Sequence, residues 1–360
     1  MAKLKVAFII NNLGMGGAEN MLLGQVGAMD KGRFEPCIVT ILPNPKVNVL
    51  DRMPKDVKYL ELTSFYKLWR FLRREKIGAV VTSLFDANLY GRIAAIFARV
   101  PVILSSEVNV YEDKRKWQII ADKILAKFTK KILVSSNEVL DFTFKQENLP
   151  REKFQLNFNA IPLRLGNVKE NRINVLRKFG LPENDLYIVT AGSLTPQKGQ
   201  AILVDAVGRL KDRGLKNFKL LIFGRGVLKE ELTTQVSKLG LDGEVKFMGI
   251  APIAEVMAIA DIFTLPSLWE GLSIALLQAM DARCPIVATR VSGTNEALEN
   301  EISALLVTSG NSLELAVAFE KLIKDKELRI RLSNNAKEAA EKFSIEKNVK
   351  VIESLIWPRS

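Results

Sequence analysis

The sequence predicts an α/β protein built from two doubly wound parallel sheets, and three observations predict it. Apolar runs of strand length alternate with amphipathic helical stretches throughout the 360 residues. The alternation occurs twice, on either side of a polar, charge-rich stretch from Arg164 to Asp185 that carries Gly166, Gly180 and Pro182. The length favours two domains over one, each able to bury its own core.

In the first half, apolar runs predict strands at 4–10, 36–41, 79–82, 102–105 and 131–135. Helical periodicity predicts helices near 18–29, 65–75, 87–98 and 117–128 between them. The second half predicts strands at 186–191, 219–223, 244–247, 262–265 and 286–289. Its helices fall near 201–213, 229–239, 253–260, 273–280 and 313–324. A last helix is expected at 346–357. The expected domains are therefore 1–165 and 166–345, followed by a terminal helical segment, 346–360.

The balance of 48% hydrophobic and 26% charged residues is that of a soluble globular chain. No run reaches the ~18 apolar residues of a membrane span. The first apolar run stops at Asn11-Asn12, too short for a signal peptide and better read as a buried strand. Cys37 and Cys284 stand in strand contexts far apart in sequence, which predicts core thiols and no disulfide. These features point to the cytoplasm. The net charge of +12 suits nucleic acid, an anionic membrane surface or phosphorylated substrates. Histidine is absent, which removes the commonest general base and zinc ligand. Asp-x-Asp, a common diphosphate–metal motif, is absent as well. No cofactor and no metal requirement is expected, although scattered carboxylates can bind magnesium.

Chemistry concentrates in Pro266–Thr289, PSLWEGLSIALLQAMDARCPIVAT. A loop ending at Glu270-Gly271 leads into a helix apolar nearly all round, which predicts burial. A carboxylate opening such a helix implies that its first turn, with free N–H groups, meets an anion such as phosphate. Gln278 stands eight residues after Glu270, about two helical turns on. Two glycine loops follow strands in the same manner. Asn11 to Glu19 holds Gly14, Gly16 and Gly17; Ala191 to Gly199 holds Gly192, Ser193 and Lys198. Glycine allows close backbone approach to a phosphate or sugar beyond a strand's carboxyl end. The first loop lacks G-x-G-x-x-G spacing, so a dinucleotide is a poor fit. Phe223-Gly224-Arg225-Gly226 and Phe247-Met248-Gly249 end two further strands.

These motifs resemble those of family 4 glycosyltransferases, most strongly from Ala191 to Leu306. The resemblance implies the GT-B fold, two Rossmann-like domains facing a central cleft, with the last helix crossing back to the first domain. It implies a retaining hexosyltransferase that uses a nucleotide-diphosphate sugar, with UDP as the expected nucleotide. The implied acceptor is a lipid-linked saccharide, membrane lipid or polysaccharide of the cell envelope. Glu270 is then the residue facing the donor sugar, and Lys198 the cation on the diphosphate. Gly192, Ser193, Gly224, Arg225, Phe247, Gly249, Gly271, Leu272, Ser273 and Gln278 line the donor. Gly16, Gly17, Asp86, Glu107 and Asn109 stand on the phosphate and acceptor side.

The chain departs from the family pattern at three positions. Ser193 replaces an arginine, Gln278 a second glutamate, and Val108 an expected histidine. Arg225, where an acid is frequent, can partly replace the missing arginine charge. A non-catalytic binding subunit and a sugar-nucleotide epimerase are the alternatives. Two stretches, 65–74 and 114–131, combine Lys/Arg with Trp/Phe in the manner of interfacial membrane helices, which predicts peripheral attachment to an anionic inner membrane face. No nucleic-acid module is visible, and no nucleic-acid partner is expected.

Overall fold

The computed structural model describes residues 3–14, 16–108 and 114–357. It divides into two compact units, residues 1–162 with 343–360 and residues 163–342. The boundaries thus lie three residues before each of those expected.

The first unit holds seven parallel strands: β1 (Leu4–Ile10), β2 (Phe34–Thr40), β3 (Lys58–Glu61), β4 (Ala79–Ser83), β5 (Val102–Glu107), β6 (Lys131–Val134) and β7 (Phe154–Leu156). Their spatial order is β3-β2-β1-β4-β5-β6-β7. Its helices are α1 (Gly17–Ala28), α2 (Phe65–Arg74), α3 (Arg92–Ala98), α4 (Lys116–Ala126) and α5 (Asn137–Glu147), with one π-helical turn at Ala87–Gly91. β1 is central, pairing β2 on one side and β4 on the other. Helices cover both faces, so its side chains from Val6 to Ile10 are all buried and the strand reads as one apolar run.

The second unit repeats the plan with β8 (Leu186–Ala191), β9 (Phe218–Phe223), β10 (Val245–Gly249), β11 (Ile262–Leu265), β12 (Ile286–Thr289) and β13 (Leu305–Val307), ordered β10-β9-β8-β11-β12-β13. Its helices are α6 (Arg172–Lys178), α7 (Gln200–Asp212), α8 (Lys229–Lys238), α9 (Ile253–Ile259), α10 (Ile274–Asp281), α11 (Ser292–Ala297), α12 (Ser312–Lys324) and α13 (Lys326–Ala340). The strand order reverses between β8 and β11, as it does between β1 and β4. In open α/β sheets, the crevice outside the strand ends at such a reversal is where ligands bind.

The polar stretch 164–185 is more than a break. It forms α6, which buries Val175 and Leu176 and anchors Arg172 to Asp261 Oδ2 at 2.8 Å. Asp281, fully buried at the end of α10, accepts from the backbone N–H groups of Arg164 (2.8 Å) and Leu165 (2.7 Å) and from Lys337 Nζ (2.6 Å). One carboxylate therefore ties the unit's opening segment and α13 to α10. The last helix, α14 (Ile345–Ile356), packs on α1 of the first unit. There Gln25 Nε2 donates to Asn348 Oδ1 at 2.9 Å, and Ile345 lies against Gly24.

A second buried polar network lies in the first unit. Lys114 Nζ donates to Asp122 (3.0 Å) and Glu147 (2.8 Å) and lies 3.8 Å from Glu107. Arg92 pairs with Asp122, and Asn88 Nδ2 donates to Glu107 at 3.1 Å. Three buried carboxylates thus share two cations, and burial pushes the Glu107 carboxyl up to about 7.

Two predictions follow from these networks. Asp281→Ala takes from the Lys337 ammonium its nearer carboxylate, leaves two amides without their acceptor, and should cost about 3–5 kcal/mol of unfolding free energy in urea titrations. Glu107 holds its proton to about pH 7 when folded, against an ordinary value of 4.5. Its contribution to stability is complete below the lower value and is lost as pH rises through the upper one. Glu107→Gln should therefore gain stability relative to the parent chain as pH rises from 4.5 to 7; a difference independent of pH would contradict this assignment.

Candidate functional site

Three loops meet beyond the carboxyl ends of β8, β9 and β11, and they meet backbone to backbone. Gly192 N–H donates to Phe223 O (3.0 Å), Leu194 N–H to Arg225 O (2.9 Å) and Leu228 N–H to Leu194 O (3.2 Å). Gly224 has φ +139°, and a Cβ there would lie 1.8 Å from Gly192 O. Gly199, at φ +64°, would bring a Cβ to 2.1 Å from Pro266 O. Leu268 N–H donates to Gln197 O at 2.8 Å, closing the first loop onto the third. Gly293, at the start of α11, leaves room for Gly271 O, which a Cβ would approach to 2.0 Å. Glycine is required at these points by sterics.

The two residues expected to be catalytic come together here. Lys198 Nζ donates to Glu270 Oε2, and Ser267 Oγ donates to the same oxygen at 3.2 Å. The Lys198 side chain lies along Gly192, whose Cβ would contact it at 3.6 Å. The pair is largely buried, with side chains 17% and 9% exposed. Ser267 and Gly293 were not expected; the spacing of Ser267, three residues before Glu270 in a tight loop, was the available signal.

Other donor-side expectations are corrected or refined. α10 begins at Ile274, so Glu270 lies on the loop before it, as expected, and the eight-residue spacing to Gln278 is only partly helical. Gln278 is half-buried, with no partner for its amide among the described residues. Leu272 packs its side chain into the core at 2% exposure, so that side chain does not line a ligand site. Ser273 caps α10 in an extended conformation. Ser193 is exposed, its Oγ 3.4 Å from that of Thr195. Arg225 is exposed and forms no ion pair among the described residues. Lys229 Nζ stands 3.2 Å from the Phe247 ring centroid, and burial lowers its pKa. Gly249, at φ +70°, accepts from Gly224 N–H at 2.7 Å.

At the first unit's reversal point, Asn11 joins the ends of β1 and β4. It donates to Asp86 Oδ2 and accepts from Ala87 N–H, both at 2.9 Å. Gly16 precedes Gly17 at the start of α1, where a Cβ on Gly16 would lie 2.2 Å from Glu19 Oε2. The first-turn anion position is therefore taken by Glu19, and burial raises its pKa. Glu107, expected on the acceptor side, ends β5 with its carboxylate inside the ionic network. Its neighbour Val108 is buried, and Asn109 lies outside the described residues. Glu107, Asp122 and Glu147 are close enough to share a metal ion, but Lys114 and Arg92 already supply two positive charges there.

The two basic, aromatic stretches differ. α2 turns Leu68 and Leu72 inward, with Trp69 and Phe71 packed against the same core, while Phe65 and Tyr66 are exposed. α4 turns its aromatic face outward.

Residues 171–339 match the sequence model of a family described as glycosyl transferases group 1. An Escherichia coli UDP-galactose:α-D-GlcNAc-diphosphoundecaprenol α-1,3-galactosyltransferase is 24% identical over 98% of this chain and 97% of its own. A Campylobacter jejuni α-1,4-N-acetyl-D-galactosaminyltransferase, named for a diphosphoundecaprenol-linked acceptor, is 25% identical over 95% of both. In fold, the chain matches HepE of Anabaena, crystallised with UDP, at a TM-score of 0.84 and 21% identity, over 98% and 99% of the two chains. It also matches WaaG, a glycosyltransferase of lipopolysaccharide biosynthesis, at a TM-score of 0.75 and 17% identity, over 98% and 100%. By its relatedness to these enzymes the chain is a glycosyltransferase, and its fold is that of the GT-B class.

Proposed function

We propose that this glycosyltransferase is a retaining, family 4-type enzyme that moves a hexosyl group from a UDP-linked sugar to a lipid-linked saccharide on the cytoplasmic side of a membrane. The observation that carries the reading is the Lys198–Glu270 pair, held by glycine-locked loops beside the strand-order reversal. The UDP complex of the similar fold and the diphosphoundecaprenol acceptors of the two relatives support the donor and acceptor classes.

Charge decides the mechanism. As the sugar C1–O bond to the diphosphate breaks, negative charge collects on the diphosphate, and fixed donors aimed there lower the barrier. Lys198, Arg225 and the backbone N–H groups of Gly271 and Ser273 supply that stabilisation, so no metal is needed. Glu270, oriented by Lys198 and Ser267 Oγ, takes the sugar hydroxyls. Its commitment to these partners favours a front-side transfer without a carboxylate nucleophile. The acceptor oxygen forms the new C1–O bond while its proton passes to the departing diphosphate. Asp86 and Asn11 mark the acceptor-side position in the first unit.

Uncharged Ser193 favours a second reading, a non-catalytic nucleotide-binding subunit. A UDP-sugar panel with a polyprenyl-diphosphate saccharide acceptor, followed by UDP release, separates the two. Lys198→Ala should lower turnover about 10²–10³-fold while the fold persists. Glu270→Ala should abolish discrimination among sugars. Ser193→Arg should tighten UDP binding about tenfold by adding a charge-assisted hydrogen bond. Tight UDP binding without transfer from any donor would leave the non-catalytic reading standing.

A further inference from the structure

Lys229 is a cation whose own surroundings leave its charge uncancelled. It is the first helical residue of α8, where the helix dipole is already positive and a further positive charge is disfavoured. Glu230 and Glu231 follow it in the first turn, but neighbours one and two apart on a helix do not face each other, and neither pairs with it. Its ammonium stands instead 3.2 Å from the centroid of the Phe247 ring. Burial lowers its pKa, and no carboxylate acts to raise it.

The backbone beneath this contact is fixed. Leu194 N–H donates to Arg225 O and Leu194 O accepts from Leu228 N–H, so both ends of the loop 225–228 hang on one residue. Gly226 lies between them, and a Cβ there would approach Leu194 O to 2.3 Å. Phe247, near the end of β10, is half-buried and packs against the core of the second unit. Strands β9 and β10 are paired, and beyond them Gly224 N–H donates to Gly249 O at 2.7 Å. Ring and lysine are therefore carried by two joined strand ends, beside the loop that holds Ser193.

An aromatic ring and a carboxylate hold an ammonium in different ways. The ring attracts the cation through its quadrupole, and the pair keeps a full positive charge. Lys198, bonded to Glu270, belongs to a pair with net charge near zero. We propose that Lys229, perched on Phe247, is a further ligand of the donor's diphosphate and supplies an uncancelled positive charge that neither Ser193 nor the Lys198–Glu270 pair provides. Phe247 is then a positioning residue, because the ring face beneath the ammonium is not open to a stacked base. Charge decides for the diphosphate over the base, since an uncancelled cation gains most from an anion and little from a neutral ring. Arg225 opens the same loop, so one rigid segment carries both cations. The inference rests on the nucleotide-sugar reading of this site and deepens it.

The test is calorimetric titration of the full chain with UDP at several salt concentrations. Lys229→Gln should weaken UDP binding roughly tenfold and flatten its dependence on salt. Lys229→Arg, which keeps the charge and can stay on the ring, should remain within about twofold of the parent. Phe247→Leu keeps the lysine but removes its perch, and should weaken binding severalfold. Thermal midpoints of the two Lys229 variants should match the parent's, because the side chain is exposed. UDP binding unchanged in Lys229→Gln, or lost equally in the Gln and Arg variants, would overturn the proposal. A loss in Lys229→Gln with the parent's salt dependence would place the lysine on the uncharged base and overturn it too. So would weakened binding of geranyl diphosphate, a prenyl diphosphate probe, with UDP binding intact, because the cation would then serve the acceptor. Failure of the parent to bind UDP would instead refute the donor-site reading itself.

Discussion

The chemistry of the second unit rests on main chain touching main chain. Gly192 O occupies the place where Gly224 would carry a side chain, and Pro266 O does the same at Gly199. Loops that depend on side-chain contacts can shift as rotamers change; these are set by excluded volume. The consequence falls on Lys198, the residue before Gly199. Its backbone is fixed by that left-handed glycine, its stem lies along Gly192, and its ammonium is delivered to Glu270. A largely buried ion pair gains little by itself once desolvation is counted. Its value here is positional, because Ser267 Oγ completes the satisfaction of the carboxylate and holds it in one orientation.

The first unit meets the corresponding demand with charge. Asp122 would be costly on an ordinary inner face, yet it is held there by Arg92 and Lys114, which also reaches Glu147 and lies near Glu107. That network clasps α4 from inside through polar contacts, aided by only a few apolar ones. An ordinary surface helix spends its apolar stripe on the core. Because α4 is secured by ionic contacts, its larger apolar residues stay exposed.

What could be read from the chain follows from the kind of contact involved. β1, β8, β11 and β12 begin and end at the residues expected, because strands buried on both faces leave uninterrupted apolar runs. The edge strand β3, Lys-Tyr-Leu-Glu, carries no such run, and β7 and β13 are only three residues long. α13 escaped notice because its buried residues Leu328, Leu332, Ala336 and Ala340 form a narrow stripe in a polar sequence. α6 was hidden by arginines and lysines whose neutralisation by Asp261 and Glu255 is tertiary. The site glycines were legible because sterics mark them locally. The union of Lys198 with Glu270 was not, since the two stand 72 residues apart. The fate of Glu107 was equally hidden, because its environment comes from α4, α5 and the turn before α3.

The departures at Ser193 and Gln278 gain meaning from this geometry. Lys198 is neutralised by Glu270, so a diphosphate arriving there meets a pair whose net charge is near zero. An uncharged Ser193 adds nothing to offset the ligand's negative charge. Arg225, however, stands on the loop whose carbonyl accepts from Leu194 N–H, one residue from Ser193. Its guanidinium is therefore tethered to the same loop pair that Ser193 belongs to, and it is not spent on any described carboxylate. A fork of donors reaching from the neighbouring loop suits a planar, multidentate phosphate contact better than a single hydroxyl does. On this argument the site keeps its electrostatic task while relocating one charge across a backbone hydrogen bond. The loss at Gln278 differs in kind, because an amide still offers both a donor and an acceptor to a sugar diol. On the proposed mechanism the two substitutions weaken ground-state binding and leave the Lys198–Glu270 pair untouched.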